Sequence, residues 1–233
     1  MNQSRKEFLK KGVAGLAGIS AFTAAGVASK GNSLAINALT QMSSDQVSSI
    51  KPVVVSTWIH GILANEEAWK VLGNGGTSLD AVELGVKTAE ADPTNQSVGL
   101  GGLPDREGRV TLDACIMNHE QQCGSVAFLE HIVHPISVAR KVMEETPHVM
   151  LVGKGALQFA EQQGFKRENL LTEDSKKAWR KWLEDSRYAP VINVENHDTI
   201  GMLALDESGN LSGACTTSGA AYKMHGRVGD SPI

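Results

Sequence analysis

The order in which the hydrophobic period changes along the chain is its tightest constraint on fold. Past Pro52, the β-branched run Val53-Val54-Val55 reads as a short buried strand that ends at Ser56-Thr57-Trp58. Two helical patterns follow before any second strand. The first opens at Asn65-Glu66-Glu67, runs to Leu72 and stops at Gly73 and Gly75-Gly76. The second opens at Thr77, with Asp80 placed for a capping box, and sets Leu79, Val82, Val86 and Ala89 on one face before Asp92-Pro93 ends it. Strand, helix, helix is not the alternation that builds a doubly wound parallel sheet. Downstream come a glycine-rich loop over 97–105, strands over 109–117 and 124–128, and a helix from Pro135 to Glu145. A strand over 149–152, helices over 156–163 and 172–186, and an irregular stretch over 187–196 complete this part. The chain then closes on a hairpin, with strands over 199–205 and 211–217 about a turn at 206–210. The pattern is mixed α and β.

With 233 residues, 41% of them hydrophobic, the chain can build a real core in one domain or two small ones. A net charge of −4 with scattered Lys and Arg offers no phosphate-tracking face, so no nucleic-acid partner is expected. Ser4-Arg5-Lys6-Glu7-Phe8-Leu9-Lys10 precedes an apolar stretch over 12–28 and resembles a twin-arginine export signal with lysine in the second arginine position. The stretch is short and rich in Gly, Ala, Ser and Thr, which makes it a signal core and a poor membrane span. Residues 1–45 are therefore set aside as signal and leader, with cleavage after Ala28 or Ala38. The product is expected to be periplasmic or secreted and to leave the membrane once the signal is removed. Three cysteines, Cys115, Cys123 and Cys215, do not make a disulfide framework. Cys115, His119 and Cys123 fall short of the four ligands of a structural zinc site, so no metal or other cofactor is expected and buried cysteines in adjacent strands are the reading. Gly153-Lys154-Gly155 and the loop glycines Gly99, Gly101 and Gly102 lack the companions of nucleotide-binding motifs and read as turns.

Chemistry concentrates at His197-Asp198-Thr199-Ile200-Gly201-Met202. A threonine hydroxyl is a weak nucleophile unless a base stands beside it, and an N-terminal threonine brings its own. Its α-amine has a reference pKa of about 8, whereas a lysine would sit near 10.4. Such a threonine must be made by cutting the bond before it. Taken alone, His-Asp-Thr at a loop-to-strand junction is ordinary turn and cap chemistry.

Its company changes that reading. The hexapeptide, then Gly213-Ala214-Cys215-Thr216-Thr217-Ser218-Gly219, then Lys223-Met224-His225-Gly226-Arg227-Val228-Gly229-Asp230-Ser231-Pro232, closely resemble the glycosylasparaginases among the N-terminal nucleophile hydrolases. Ser56-Thr57-Trp58, Asp92-Pro93 with Ser97-Val98-Gly99, and Leu112-Asp113-Ala114 match the same family, so the likeness runs over about 52–233. The resemblance implies an α+β fold, the four-layer αββα sandwich. It also implies cleavage into an α-chain over 46–198 and a β-chain starting at Thr199, with the chains remaining associated in a homodimer of αβ units. It makes Thr199 the nucleophile, which attacks the side-chain amide of a small-molecule glycoasparagine and forms a β-aspartyl ester that water resolves.

By the same resemblance Thr217 hydrogen-bonds near the nucleophile, and His197 and Asp198 act with Thr199 in self-cleavage. Arg227 binds the substrate α-carboxylate, Asp230 its α-ammonium, Trp58 lines the mouth of the pocket and Ser97 contacts the amino-acid part. A guanidinium forking onto a carboxylate, with a carboxylate nearby for the ammonium, is sound chemistry for an α-amino acid. Without the resemblance, Arg227 and Asp230 read as a surface ion pair, Trp58 as core and Ser97 as a loop serine. The family's oxyanion pair, Thr-Gly, falls beyond Ile233, and losing such donors costs roughly 3–4 kcal/mol of transition-state stabilisation. The sequence is accordingly expected to be a partial precursor. Two other readings stand beside glycosylasparaginase: a plant-type L-asparaginase or isoaspartyl peptidase, and an inactive fragment.

Overall fold

A computed structural model describes residues 51–185 and 199–229. The leader over 1–45, the irregular stretch over 187–196, His197, Asp198 and Asp230 lie outside the described residues. Six strands form one sheet in the order β1-β5-β6-β2-β3-β4, where β1 is Val53–Ser56, β2 Leu112–Met117, β3 Cys123–Leu129, β4 Met150–Val152, β5 Ile200–Leu205 and β6 Leu211–Thr217. Every neighbouring pair is antiparallel except β3 and β4. Among the described residues five helices accompany it: α1 Gly61–Gly73, α2 Ser78–Ala91, α3 Pro135–Glu145, α4 Gly153–Gln162 and α5 Glu173–Asp185. No helix among the described residues is long and apolar enough to cross a membrane.

Alternation along the strands decides which face is buried. Ile200, Met202 and Ala204 of β5, Ala114 and Ile116 of β2, and Val126 of β3 point to one side. There they meet Val82, Val86 and Ala89 of α2 and Ile136, Ala139 and Val142 of α3 in a single core. The residues between them on the same strands, Leu203, Cys215, Cys115 and Met117, face the other way and stay half-buried or exposed. The described residues thus supply a sheet with helices on one face. The second sheet that the αββα resemblance implies is not among them. Cys115 of β2 and Cys215 of β6 are cross-strand partners, and all three cysteines are free thiols on this open face, half-buried rather than buried.

Several element boundaries differ from expectation, each for a local reason. Helix α1 starts at Gly61 instead of Asn65, its first turn tied back to β1 by the Ser56 hydroxyl, which donates to the Gly61 carbonyl at 3.0 Å. Thr77 does cap α2, accepting from the Asp80 N–H at 3.1 Å, while its own hydroxyl donates to the Asp80 carboxylate. Strand β2 begins three residues later than read, at Leu112. Ahead of it, the buried Asp105 carboxylate accepts the N–H groups of Glu107 and Arg109 and winds that segment into a turn. Gly153-Lys154-Gly155, read as a turn, is instead the opening of α4, with Gly153 at φ 53°.

One buried carboxylate organises the end of α2. Glu90, fully buried, accepts from the Thr216 hydroxyl at 2.8 Å and the Ile136 N–H at 3.1 Å, and it lies 3.1 Å from His134 Nδ1. Its carbonyl also takes the Leu100 N–H at 2.8 Å, drawing the glycine-rich loop onto the helix end. The chain passes so closely that a Cβ on Gly99 would stand 2.2 Å from that carbonyl oxygen, and the residue's φ of 63° is open to glycine.

Candidate active site

The site forms where the hairpin after residue 198 enters the sheet between strands that precede it in sequence. Thr199 leads into β5 at the sheet's edge toward β1, and Thr217 ends β6 beside it. The Thr199 hydroxyl donates to Thr217 Oγ1 at 3.1 Å, and the Gly219 N–H donates to the same oxygen at 2.9 Å. Thr199 is half-buried and Thr217 is buried. Alternation explains the division of labour on β6. Thr216 turns inward to Glu90, and Thr217 turns toward Thr199.

Thr57, just past β1, grips the backbone on either side of Ile200. Its hydroxyl donates to the Thr199 carbonyl at 2.8 Å and accepts from the Gly201 N–H at 2.9 Å. The next residue, Trp58, is 58% exposed and left-handed at φ 62°, so its indole stands in solvent next to the threonine pair's segment rather than in the core. Ser97 reaches the site through its backbone. Its carbonyl accepts both the N–H and the hydroxyl of Ser218, each at 2.8 Å, which joins the glycine-rich loop to the residue after Thr217.

Arg227 comes in from the loop that follows β6. Its Nη1 lies 2.9 Å from where a Cβ on Gly219 would sit and 3.7 Å from the same point on Gly229. Glycine at both positions leaves room for the guanidinium beside the Thr217 segment. The loop is fixed from below by two buried charges that the sequence reading left without a role. The Asp113 carboxylate of β2 accepts the Phe128 N–H at 2.8 Å and the Gly229 N–H at 2.7 Å. Burial pushes its carboxyl above the usual range, and the nearby Lys223 charge and these hydrogen bonds oppose the shift. Lys223, 4% exposed, donates to the Thr111 carbonyl at 3.1 Å and the Ser218 carbonyl at 2.6 Å. Burial draws its pKa down to about 8, Asp113 and Asp105 resist, and Arg227 adds to the fall. His225 holds the same loop from outside, its Nδ1 2.8 Å from Asp105 and its ring edge-on to Phe128.

The structure therefore brings Thr199, Thr217, Arg227 and the Ser97 segment together and sets Trp58 one residue from the Thr57 clasp. A signal for the overlooked pair did exist. Asp113 is a lone carboxylate inside the apolar strand Leu112–Met117, and Lys223 comes just after the small-residue run Ser218-Gly219-Ala220-Ala221.

A mixed sheet into which a threonine-headed hairpin inserts agrees with the α+β class of fold that the resemblance implies. The asparaginase family profile matches residues 31–233, and the chain belongs to that family. It is 61% identical over 238 aligned positions to a protein of Elizabethkingia miricola named N(4)-(Beta-N-acetylglucosaminyl)-L-asparaginase, a match covering 100% of this chain and 65% of that protein. Proteins of Mus musculus and Rattus norvegicus with the same name are each 37% identical, over 80% and 78% of this chain and 63% and 61% of theirs. The chain spans just under two thirds of the length of these relatives. The family resemblance read from Thr199 and its companions is thereby borne out.

Proposed function

We propose that this chain carries the nucleophile and amino-acid clamp of a self-cleaving amidohydrolase, which hydrolyses the bond between N-acetylglucosamine and the asparagine side chain. The observation that carries the reading is the Thr199–Thr217 hydroxyl pair at 3.1 Å at the head of β5. The names of the relatives supply the substrate class. In the precursor, Thr199 Oγ attacks the Asp198 carbonyl, assisted by the Asp198 carboxylate in a turn shaped by His197. The Asp198–Thr199 C–N bond breaks as the ester forms, which frees the Thr199 α-amine, and water then hydrolyses the ester to return the Thr199 hydroxyl. In turnover, Oγ bonds to the side-chain carbonyl carbon of the substrate while its proton passes to that amine. The proton then goes to the departing nitrogen as the C–N bond breaks, and water releases aspartate from the β-aspartyl ester. Arg227 and Asp230 hold the α-carboxylate and α-ammonium. Trp58 offers the sugar a flat apolar surface.

The same reading places the enzyme outside the cytoplasm, supported by Ser4–Lys10 and the apolar stretch behind it; a mature protein that keeps Met1 would reject the leader. It also makes the working unit a homodimer of αβ units. The strongly exposed Ile59, Ile62 and Leu63 at the start of α1 support a covered surface there.

The test uses the full-length protein. Mass spectrometry should find a fragment beginning at Thr199, and Thr199→Ala should leave the chain whole and inactive. Arg227→Ala should cleave normally yet raise KM for GlcNAc-asparagine by about 100-fold, the worth of roughly 3 kcal/mol of charge-assisted binding. Faster hydrolysis of β-aspartyl dipeptides than of GlcNAc-asparagine would assign the enzyme to the isoaspartyl peptidases instead.

A further inference from the structure

Lys223 lies off the reaction path, yet it is joined to the nucleophile through a single peptide unit. Its Nζ donates to the Ser218 carbonyl at 2.6 Å. The other end of that same amide, the Gly219 N–H, donates to Thr217 Oγ1 at 2.9 Å. Thr217 Oγ1 is the atom that Thr199 Oγ1 contacts at 3.1 Å. Three hydrogen bonds thus connect an ammonium to the attacking oxygen, and all but the last are buried from water.

We propose that Lys223 is a positioning residue for the nucleophile, acting through the Ser218–Gly219 peptide and Thr217 to orient Thr199 and to stabilise charge developing on its oxygen. The inference rests on Thr199 being the nucleophile, as argued above. A cation on a carbonyl oxygen draws electron density from the amide and strengthens its N–H as a donor, and such chains reinforce one another where water is excluded. The effect reaches Thr217 first. With one acceptor site filled by the Gly219 N–H, its oxygen is fixed, and the Thr199 hydroxyl is aimed at it.

Polarity in the chain matters when Thr199 reacts. In the resting arrangement the last hydrogen bond runs from Thr199 to Thr217. As the Thr199 proton moves to its own α-amine, the Thr217 hydroxyl can turn about its Cβ–Oγ bond and donate to the oxygen left behind. Every link then donates toward Thr199: ammonium to carbonyl, amide to hydroxyl, hydroxyl to oxyanion. Neither Lys223 nor Thr217 gives up a proton, and charge is carried by polarisation alone. The ammonium is held for this task by Asp113 from β2 and Asp105 from the turn before it, against Arg227 on its own loop. Even with a pKa near 8 it is chiefly cationic at neutral pH.

Lys223→Met in the full-length protein is the direct test, because it keeps the stem and removes the charge and the donors. Both self-cleavage at Thr199 and kcat for GlcNAc-asparagine should fall about tenfold, with KM changed less than about threefold, since the lost interaction belongs to the transition state. A double-mutant cycle separates this role from simple support of the fold. In a Thr217→Val background the relay is already broken, so Lys223→Met should add less than about twofold to the loss. If Lys223→Met does not fold, Lys223→Gln keeps a donor to Ser218 without the charge, and kcat should fall between wild type and the tenfold loss. Unchanged kcat in the folded variant, or an equal loss with and without Thr217, would overturn the relay. A wild-type protein that neither cleaves nor turns over refutes the proposed function itself, whereas an active wild type beside an unaffected variant removes only the relay.

Discussion

Thr57 shows how much of this site is built by residues that touch no substrate. One hydroxyl donates to the Thr199 carbonyl and accepts from the Gly201 N–H, so it fixes the backbone that carries Thr199 into β5. Each such hydrogen bond is worth about 1 kcal/mol net, and Thr57 is exposed, so both fall at or below that value. Thr57→Val keeps the β-branched shape and removes both. Self-cleavage should slow about fivefold to tenfold, with stability lowered by less than about 1 kcal/mol; a time course of precursor loss reads the first and thermal melting the second. A rate unchanged within twofold would leave Thr57 as a mere turn residue. Thr199, Thr217 and Arg227 stood out in the sequence only because they fall within short strings that resemble one family; by residue type alone they read as turn, strand and surface-pair residues. Thr57, Asp113 and Lys223 lie in matched strings too, but their roles come from partners far along the chain: Thr57 with Thr199, Asp113 with Gly229, Lys223 with Thr111. No spacing rule brings such pairs together before the sheet does.

Helices and strands were legible wherever one period ran long enough. The face of Val82, Val86 and Ala89 on α2 is buried as read, and the hairpin of β5 and β6 stands where alternation placed it. The ends were missed where a side chain captured the backbone, as Asp105 does before β2. Glu90 is the strongest case of such capture, since it joins α2 to Thr216 of β6, to Ile136 of α3 and, through its carbonyl, to the loop bearing Ser97. Removing it strands several buried groups at once, and Glu90→Ala should cost about 2–4 kcal/mol. Glu90→Gln isolates its charge. Burial raises the Glu90 pKa above the usual carboxylate value, with His134, Thr216 and Ile136 opposing the shift. The folded state therefore holds this proton more tightly than the unfolded state does. Its contribution to stability is complete below the unfolded pKa and is lost as pH rises through the folded one. Relative to Glu90→Gln, the wild type should thus lose melting temperature as pH rises above the ordinary glutamate range, by a few degrees per ~1 kcal/mol. A difference that stays flat, or one that grows in favour of the wild type, would show that the His134 pair more than offsets the buried charge.

Taken as a whole, the molecule is threaded so that cutting it need not divide it. The strands that follow residue 198 do not lie at one side of the sheet. β5 pairs with β1 over four residues, from Val53 with Leu205 to Ser56 with Met202, and β6 pairs with β2 from Asp113 with Thr217 to Met117 with Gly213. The later segment is therefore inserted between two strands of the earlier one, hydrogen-bonded along both edges. Its inward residues Ile200, Met202, Ala204 and Ala214 are buried in the core shared with α2 and α3. Separating the pieces after cleavage would break two ladders and expose those side chains, at about 1.5–3 kcal/mol for each large one. Loss of one peptide bond offers nothing of that size in return. Cleaved full-length protein should therefore elute from a sizing column as a single species in native buffer, its α and β fragments resolving only in denaturant. Light scattering on that species should give the mass of two αβ units; the mass of one would remove the homodimer and leave the threading intact. Fragments that part in native buffer would mean that the interleaved sheet does not survive the cut.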